Sequence, residues 1–445
     1  MSRRAAIVHG ESETGVVAAL SQQGEGIVHQ AKTAFVAGAL PGETIRFRRA
    51  RRHRQYDEAH LEQILSPAAE RVVPGCAHFD ICGGCALQHL DHRAQLQLKQ
   101  LQLAESLERL GRVAPVRWLQ PIQGRPWGYR RRARLGVKYV ARKGRVLVGF
   151  RERGSNLVAS LTRCEVLAAP IDGLIAPLSQ LIGQLSIREQ LPQIEVAVAD
   201  ATAALVLRVL QTPSEQDCAR LREFERQHGV RIFLQSGGLD SVRALSEPAP
   251  RLSYALPEAD LELEFGPTDF IQINAEANRA LVAAAAQLLE LTPESQVLDL
   301  YCGLGNFSLA LARRARSVVG VEGEAALIER ARANAQRNGI ANAQFFRANL
   351  SGELAGADWL QQSYSHILLD PPRIGARDML PHIAQLAPRR LLYVSCHPGT
   401  LARDLGVLVH EHGFQLLAAG VVDMFAHTAH VESLALLGGR RGGGD

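Results

Sequence analysis

The sequence predicts a multi-domain α/β protein. It should have a small OB-like β-barrel at residues 1–66, a central α/β domain at 67–260 and a Rossmann-like doubly wound sheet at 261–445. Three observations predict it. Residues 8–66 hold short β segments broken by turn signals, the pattern of a small barrel. From about residue 290, compact apolar runs alternate with helical stretches, which argues for a mostly parallel sheet. Between the two lie three clustered cysteines and a basic, aromatic hairpin pattern. A chain of 445 residues is long enough for two or three domains.

In the first region the segments GEGIVH, KTAFVAG, ETIRFRRARRH and AHLEQIL read as strands, separated by turns such as QQGEG and LPGE. The third carries Arg46, Arg48, Arg49, Arg51, Arg52 and Arg54. Strand alternation sends part of that cluster outward, toward solvent or phosphate. The overall net charge of +5 hides an asymmetry. Residues 1–160 carry 26 Lys and Arg against 13 Asp and Glu, a net of +13, which leaves 24 against 32, a net of −8, for the rest. A basic first part suggests a polyanionic partner.

The cysteines come next, in CAHFDICGGC, spaced C-x5-C-x2-C. That is neither the paired spacing of a zinc ribbon nor a disulfide framework. The start, MSRRAAIVHGESETG, lacks the apolar core of a secretory signal, and no apolar run reaches 18 residues. The expectation is a cytoplasmic protein with no membrane segment. Seven cysteines, an odd number, fit a reducing compartment, where the three clustered ones are more readily ligands than bridges. A helix is expected at 91–111, in a segment to 121 that can pack with the C-terminal domain. Trp127 to Asn156 read as a hairpin turning near Lys143-Gly144, with Trp127, Tyr129, Tyr139 and Phe150 interleaved with arginines. Stacking rings beside cations suit unpaired RNA. Residues 165–260 carry no strong motif.

The last region has apolar runs SQVLDL, SVVGVEG, AQFFRAN, SHILLD and RRLLYVS, with helices expected at 306–315, 324–338 and 399–412. VLDLYCGLGNFSLALA is a strand, a glycine turn and a helix start, and Glu322 ends the next strand. A carboxylate there can accept ribose hydroxyls. The loop lacks the third glycine of the dinucleotide fingerprint. This points toward an adenosine cofactor without phosphates, such as S-adenosylmethionine, with a NAD site as the alternative. DPPR ends the fourth strand, VSCHPGT puts Cys396 after the fifth, and DMFAHTAHVE puts Glu432 near the chain end. Strand ends of such a sheet converge on the ligand crevice. Cys396 there is a candidate nucleophile, whereas Cys218 and Cys302 read as structural. The tail GGRRGGGD reads as disordered.

Taken together, CAHFDICGGC with the distant Cys164 in LTRCEVL, FIQIN, DLYCGLGNFSL, DPPR, SCHPGTLARDL and MFAHTAHVE resemble the RNA uracil-5-methyltransferase family over nearly the whole chain. The branch it is similar to methylates 23S ribosomal RNA and carries an N-terminal TRAM barrel and an iron–sulfur cluster. The resemblance implies a class I methyltransferase domain and a monomer acting on a single-stranded or flipped-out uridine of 23S ribosomal RNA. It implies a [4Fe-4S] cluster on Cys76, Cys82, Cys85 and Cys164. It implies S-adenosylmethionine contacts from Gln272, Tyr301, Asn306, Glu322, Asn349 and Asp370, with Cys396 as nucleophile and Glu432 as base. His397 stands where the family usually has Asn, and Ala426 where proline is common.

The chemistry needs those two residues. Uracil C5 is a poor nucleophile until a thiolate adds to C6, and a base must then remove the C5 proton. A zinc site of four cysteines is the alternative. The cluster reads as a cross-link that fixes the central domain and the adjoining RNA surface. Rival readings are a transfer-RNA uracil-5-methyltransferase, an RNA cytosine-5-methyltransferase and a non-catalytic RNA-binding assembly factor.

Overall fold

The computed structural model describes residues 6, 7, 10–352, 354 and 356–439. Residues 440–445 of the glycine-rich tail lie outside them. The chain forms two compact units. The first is Met1–Lys99 with Arg151–Leu157 and Phe425–His430; the second is Gln100–Phe150, Val158–Met424 and Val431–Asp445.

In the first unit, strands Ser12–Leu20, Glu25–Val28, Thr33–Ala37, Thr44–Arg52 and Tyr56–Ser66 make the barrel. It closes because Thr44–Arg52 pairs with both Ser12–Leu20 and Tyr56–Ser66. Val17, Val28, Val36, Ile45 and Phe47 fill its core. Four of the five strands lie where the turn signals put them. Ser12–Leu20 lies outside the expected segments. Its Val16 is exposed beside buried Val17, and Gly15 interrupts it where a Cβ would come 2.6 Å from Val28 Cγ1. The arginine strand is knitted into the barrel. Arg48 pairs with Glu62 at 2.7 Å, and Arg49 with Glu13 at 2.7 Å and Asp57 at 2.9 Å. Arg52 and Arg54 are exposed.

The expected helix is found as His92–Ser106, continued by a π-helical turn Leu107–Gly111 and stopped by Arg112 at φ 52°. Leu103 and Leu107 on its later turns are buried in the core of the large sheet.

The second unit holds two main sheets. The first has the order Val242–Ala244, Val230–Gln235, Ala203–Arg208, Gln193–Val198, Arg132–Val140, Arg145–Gly149. Its last two strands are the expected hairpin, turning at Ala141–Lys143 with Gly144 at φ 59°. The hairpin's cations and rings are largely used inside the protein, which corrects the expectation of an open stacking surface. Tyr129 is buried. The Arg130 guanidinium lies 5.7 Å from the centre of the Phe150 ring, and Arg188 lies 5.2 Å from that of Tyr139. Arg131 pairs with Asp200 at 2.6 Å, Arg134 with Glu195 at 2.8 Å, and Arg132 donates to Pro267 O at 2.6 Å. Arg142 and Lys143 at the turn are exposed and, among the described residues, carry no ion pair.

The second sheet has the order Ala343–Arg347, Ser317–Glu322, Gln296–Leu300, His366–Leu369, Arg390–Ser395, Glu432–Gly438, Gln415–Val422, Arg117–Trp118. The first five strands are parallel, and Glu432–Gly438 runs antiparallel to both neighbours. Its central strands are buried throughout, which is why they read as continuous apolar runs. The expected helices appear as Ser308–Ala312, Ala325–Arg337 and Pro398–His410. Among the described residues no helix is long and apolar enough to cross a membrane.

Candidate active site

Strand order reverses beside Gln296–Leu300, whose neighbours Ser317–Glu322 and His366–Leu369 diverge to opposite sides. Ligands bind at such a switch point, outside the carboxyl ends of the strands. The loop after Leu300 turns through Tyr301 (φ 65°), Gly303 (φ 56°) and Gly305 (φ 95°). Left-handed conformations at alternate residues let the chain turn sharply and let a ligand approach the backbone, while the Tyr301, Cys302 and Gly305 N–H groups bond to backbone carbonyls within the protein. Glu322 sits against this loop. Its carboxylate accepts from Gly303 N–H at 3.2 Å, Gly323 N–H at 2.6 Å and Glu324 N–H at 3.1 Å.

Asn306 is held differently. Its Oδ1 accepts from the Tyr254 hydroxyl at 2.9 Å and from Asn278 at 3.0 Å, and its Nδ2 donates to Asn278 Oδ1 at 2.9 Å. Tyr254 and Asn278 were not among the expected site residues. Each lies far along the chain from Asn306, and no local pattern marks either. Gln272 lies 3.5 Å from Asp370 Oδ2. Asn349 is exposed beyond the third strand, and its Oδ1 accepts from Ser351 N–H at 3.2 Å.

Cys396 and Glu432 are brought together by the sheet. Arg390–Ser395 and Glu432–Gly438 pair antiparallel with Ser395 opposite Ser433. Cys396 directly follows the first strand and Glu432 begins the second, so both lie at this end of the pair, and the Glu432 carboxyl acts on the Cys396 thiol. Asp370 follows Leu369, which pairs in parallel with Tyr393 on the same central strand, so all three groups lie at one sheet end.

The electrostatics follow from this crowding of acids. Burial lifts the Asp370 carboxyl to about 7. Burial, reinforced by Asp370, lifts Glu432 well above the usual carboxylate range. Asp299, in the strand behind the loop, is lifted to about 7 by burial, against the hydrogen bond from Ser308. Its Oδ1 is buried with no hydrogen-bond partner. The Cys396 thiol is pushed up to about 11 by burial first, then by Glu432 and Asp370, with Arg373 opposing. Burial therefore favours the protonated form of both Cys396 and Glu432, and makes each a stronger base once it has lost its proton.

His397 caps the helix Pro398–His410. Its Nδ1 accepts from Thr400 N–H at 3.2 Å. Asn is a favoured residue at this position because it supplies such an acceptor. The substituted histidine does the same work with a ring nitrogen, and so fixes the backbone beside Cys396.

In the other unit, the cysteine loop is a run of turns. Gly84 N–H points to Cys82 Sγ at 3.3 Å, and Cys76 N–H to Gln88 Oε1 at 3.1 Å. The Arg153 guanidinium lies 4.8 Å from the Phe79 ring centre and donates to Cys85 O at 3.1 Å. Burial lowers its pKa, while Asp80, Cys82 and Cys85 oppose that shift. No cysteine forms a disulfide. Cys164 is buried in the second unit. Among the described residues, no group of three or more His, Cys, Asp or Glu side chains is placed to hold a metal ion. The chemistry of the loop still suits a thiolate cluster, with soft donors, an amide N–H directed at sulfur and the half-buried Arg153 cation nearby.

A sequence model of the tRNA (uracil-5-)-methyltransferase family matches residues 252–440. The 23S rRNA (uracil(1939)-C(5))-methyltransferase RlmD of Alkalilimnicola ehrlichii is 50% identical over 438 residues, covering 98% of each chain. That of Nitrosospira multiformis is 48% identical, covering 95% of this chain and 97% of its own. Among solved structures, the Pyrococcus abyssi tRNA (uracil-54, C5)-methyltransferase in complex with S-adenosyl-L-homocysteine shares the fold. Its TM-score is 0.73 at 22% identity, covering 96% of this chain and 100% of that one. The expected motifs, the sheet that unites Cys396 with Glu432, and relatives matched almost end to end agree: this chain belongs to the RNA uracil-5-methyltransferase family.

Proposed function

We propose that this chain methylates C5 of one uridine in 23S ribosomal RNA, the position its relatives number 1939. The observation that carries the reading is the pairing of Ser395 with Ser433, which leaves Cys396 and Glu432 at the same end of the sheet. S-adenosylmethionine, when bound, supplies the methyl group as an electrophilic sulfonium.

Cys396 gives its proton to solvent and the Sγ thiolate adds to uracil C6, the C5–C6 π pair moving out to leave an enolate with nucleophilic character at C5. C5 takes the methyl group as the methyl–sulfur bond of the donor breaks and its electron pair stays on sulfur. The Glu432 carboxylate then takes the C5 proton, the C–H electron pair forms the C5–C6 double bond, and the C6–S bond breaks to release the thiolate. A carboxylate lifted by burial is a stronger base than free glutamate, which suits it to that proton. The target base must leave its stack to reach Cys396, because a duplex hides C5 and C6.

The cofactor contacts proposed are Gln272, Tyr301, Asn306, Glu322, Asn349 and Asp370. Glu322 keeps about one lone-pair site, on Oε2, for a ribose hydroxyl beyond the three N–H groups it accepts. Asn306 acts by holding the loop, since Tyr254 and Asn278 engage its amide. The unpartnered Oδ1 of buried Asp299 supports a polar ligand at this loop.

Cys76, Cys82, Cys85 and Cys164 would hold a [4Fe-4S] cluster, which would serve as a cross-link without entering the methyl transfer. The parts at 1–66, 67–260 and 261–445 would act as the RNA-binding TRAM barrel, the cluster and RNA domain, and the class I catalytic domain of a cytoplasmic monomer. Anaerobically purified protein should hold about four irons per chain; stoichiometric zinc would contradict the cluster. Mapping 5-methyluridine in 23S RNA from a deletion strain tests the activity. Wild type should restore one site and Cys396→Ala none. An unchanged map after deletion would contradict the reading.

A further inference from the structure

The residues Phe425–His430, which lead into Glu432, belong to the first compact unit, with the barrel and the cysteine loop. His427 is buried and takes φ 62°, a left-handed conformation that residues other than glycine rarely adopt. Something must impose it. The side chain of Gln95, fully buried on the helix His92–Ser106, supplies the clamp. Its Oε1 accepts from His427 N–H at 3.0 Å. Its Nε2 donates to Leu87 O at 3.0 Å and Leu90 O at 2.8 Å, and lies 3.2 Å from His427 Nδ1. The two N–H groups of that amide nitrogen thus lie within reach of three partners on the turn and the loop. Lys99, one turn further along the helix, donates to Phe425 O at 3.0 Å. The His427 carbonyl in turn accepts from Ala86 N–H at 2.9 Å and Leu87 N–H at 3.0 Å, the two residues that follow Cys85.

A buried glutamine that spends both ends of its amide on one turn and on the loop beside it defines their conformation. That turn ends two residues before the base. We propose that Gln95 is a positioning residue for the proton-removal step, fixing the turn that delivers Glu432 and tying it to the segment after Cys85. The inference rests on the reading of Glu432 as the base. It predicts that loosening the turn harms elimination and spares the steps before it, because Cys396 and the cofactor loop are carried by other segments.

The test is single-turnover methylation of a 23S RNA fragment, with labelled methyl donor and denaturing gels, for wild type, Gln95→Leu, Gln95→Glu and Glu432→Gln. Gln95→Leu should form the covalent RNA adduct at a rate within about twofold of wild type and release it about 100-fold more slowly, the scale of a misplaced reacting group. The trapped band should carry the methyl label. Gln95→Glu keeps the acceptor for His427 N–H and should release faster than Gln95→Leu. Release at the wild-type rate by folded Gln95→Leu would overturn the inference. So would equal slowing of formation and release, or failure of both variants to fold, since Gln95 would then hold the fold and not the base. If Glu432→Gln itself turns over, the base assignment and this inference fall together. If it traps and Gln95→Leu does not, the inference alone falls.

Discussion

Cys396 should titrate in the ligand-free protein as a suppressed thiol and not as an activated one. Burial is the largest cause, followed by the Glu432 and Asp370 carboxylates, and together they outweigh Arg373 and raise the pKa from 9.0 to about 11. Two pKa steps reduce the thiolate at neutral pH about 100-fold, to roughly 0.01% of the protein. Iodoacetamide reacts with the thiolate alone, so the alkylation rate reports that fraction directly. The rate at Cys396, followed on its own peptide by mass spectrometry, should climb without a plateau from about pH 7 to about pH 10. Glu432→Gln should shift the curve to lower pH, because it removes the second-ranked cause. Arg373→Ala should shift it to higher pH, because it removes the cation. A plateau reached below about pH 8 in the ligand-free protein would refute the reasoning. The thiolate would then be ready before RNA arrives.

Two further predictions concern other groups. The Asp299 carboxyl is raised from 3.8 to about 7 in the folded protein, so the unfolded chain ionises first and stability is lost as pH rises between those values. Asp299→Asn should therefore leave the melting temperature unchanged near pH 4 and raise it at pH 8, by up to about 4 kcal/mol in stability; an equal gain at both pH values would contradict the assignment. Replacing exposed Arg142 and Lys143 together by alanine should reduce the slope of log RNA affinity against log salt by about 1.4. An unchanged slope would remove the hairpin turn from the RNA face.

The parallel strands were legible because each is a buried apolar run closed by a chemistry-bearing residue, as in HILL followed by Asp370. Cys396 and Glu432 were legible as residue types at strand ends. Their juxtaposition was not, because it depends on the register of Glu432–Gly438 against Arg390–Ser395. Ser12–Leu20 was missed because Gly15 and exposed Val16 break its alternation. The arginines were over-read because their partners, such as Asp200 for Arg131, come from distant segments that only the fold brings near. The contacts that hold Asn306 were hidden for the same reason, Tyr254 being one. His397 looked like a departure from the family pattern, and its meaning came from a hydrogen bond to Thr400.

The central claim is that Cys396 and Glu432 act at successive steps on one uridine. It is tested most directly by incubating Glu432→Gln and Cys396→Ala with the RNA fragment and labelled S-adenosylmethionine, then running a denaturing gel. Glu432→Gln keeps the side chain's size and its capacity to hydrogen-bond while removing the basic carboxylate. It should accumulate a protein–RNA band that carries the methyl label, because the adduct forms and the C5 proton stays. Cys396→Ala should bind the RNA and give neither band nor product. Wild-type turnover by Glu432→Gln, or a covalent band from Cys396→Ala, would contradict the account.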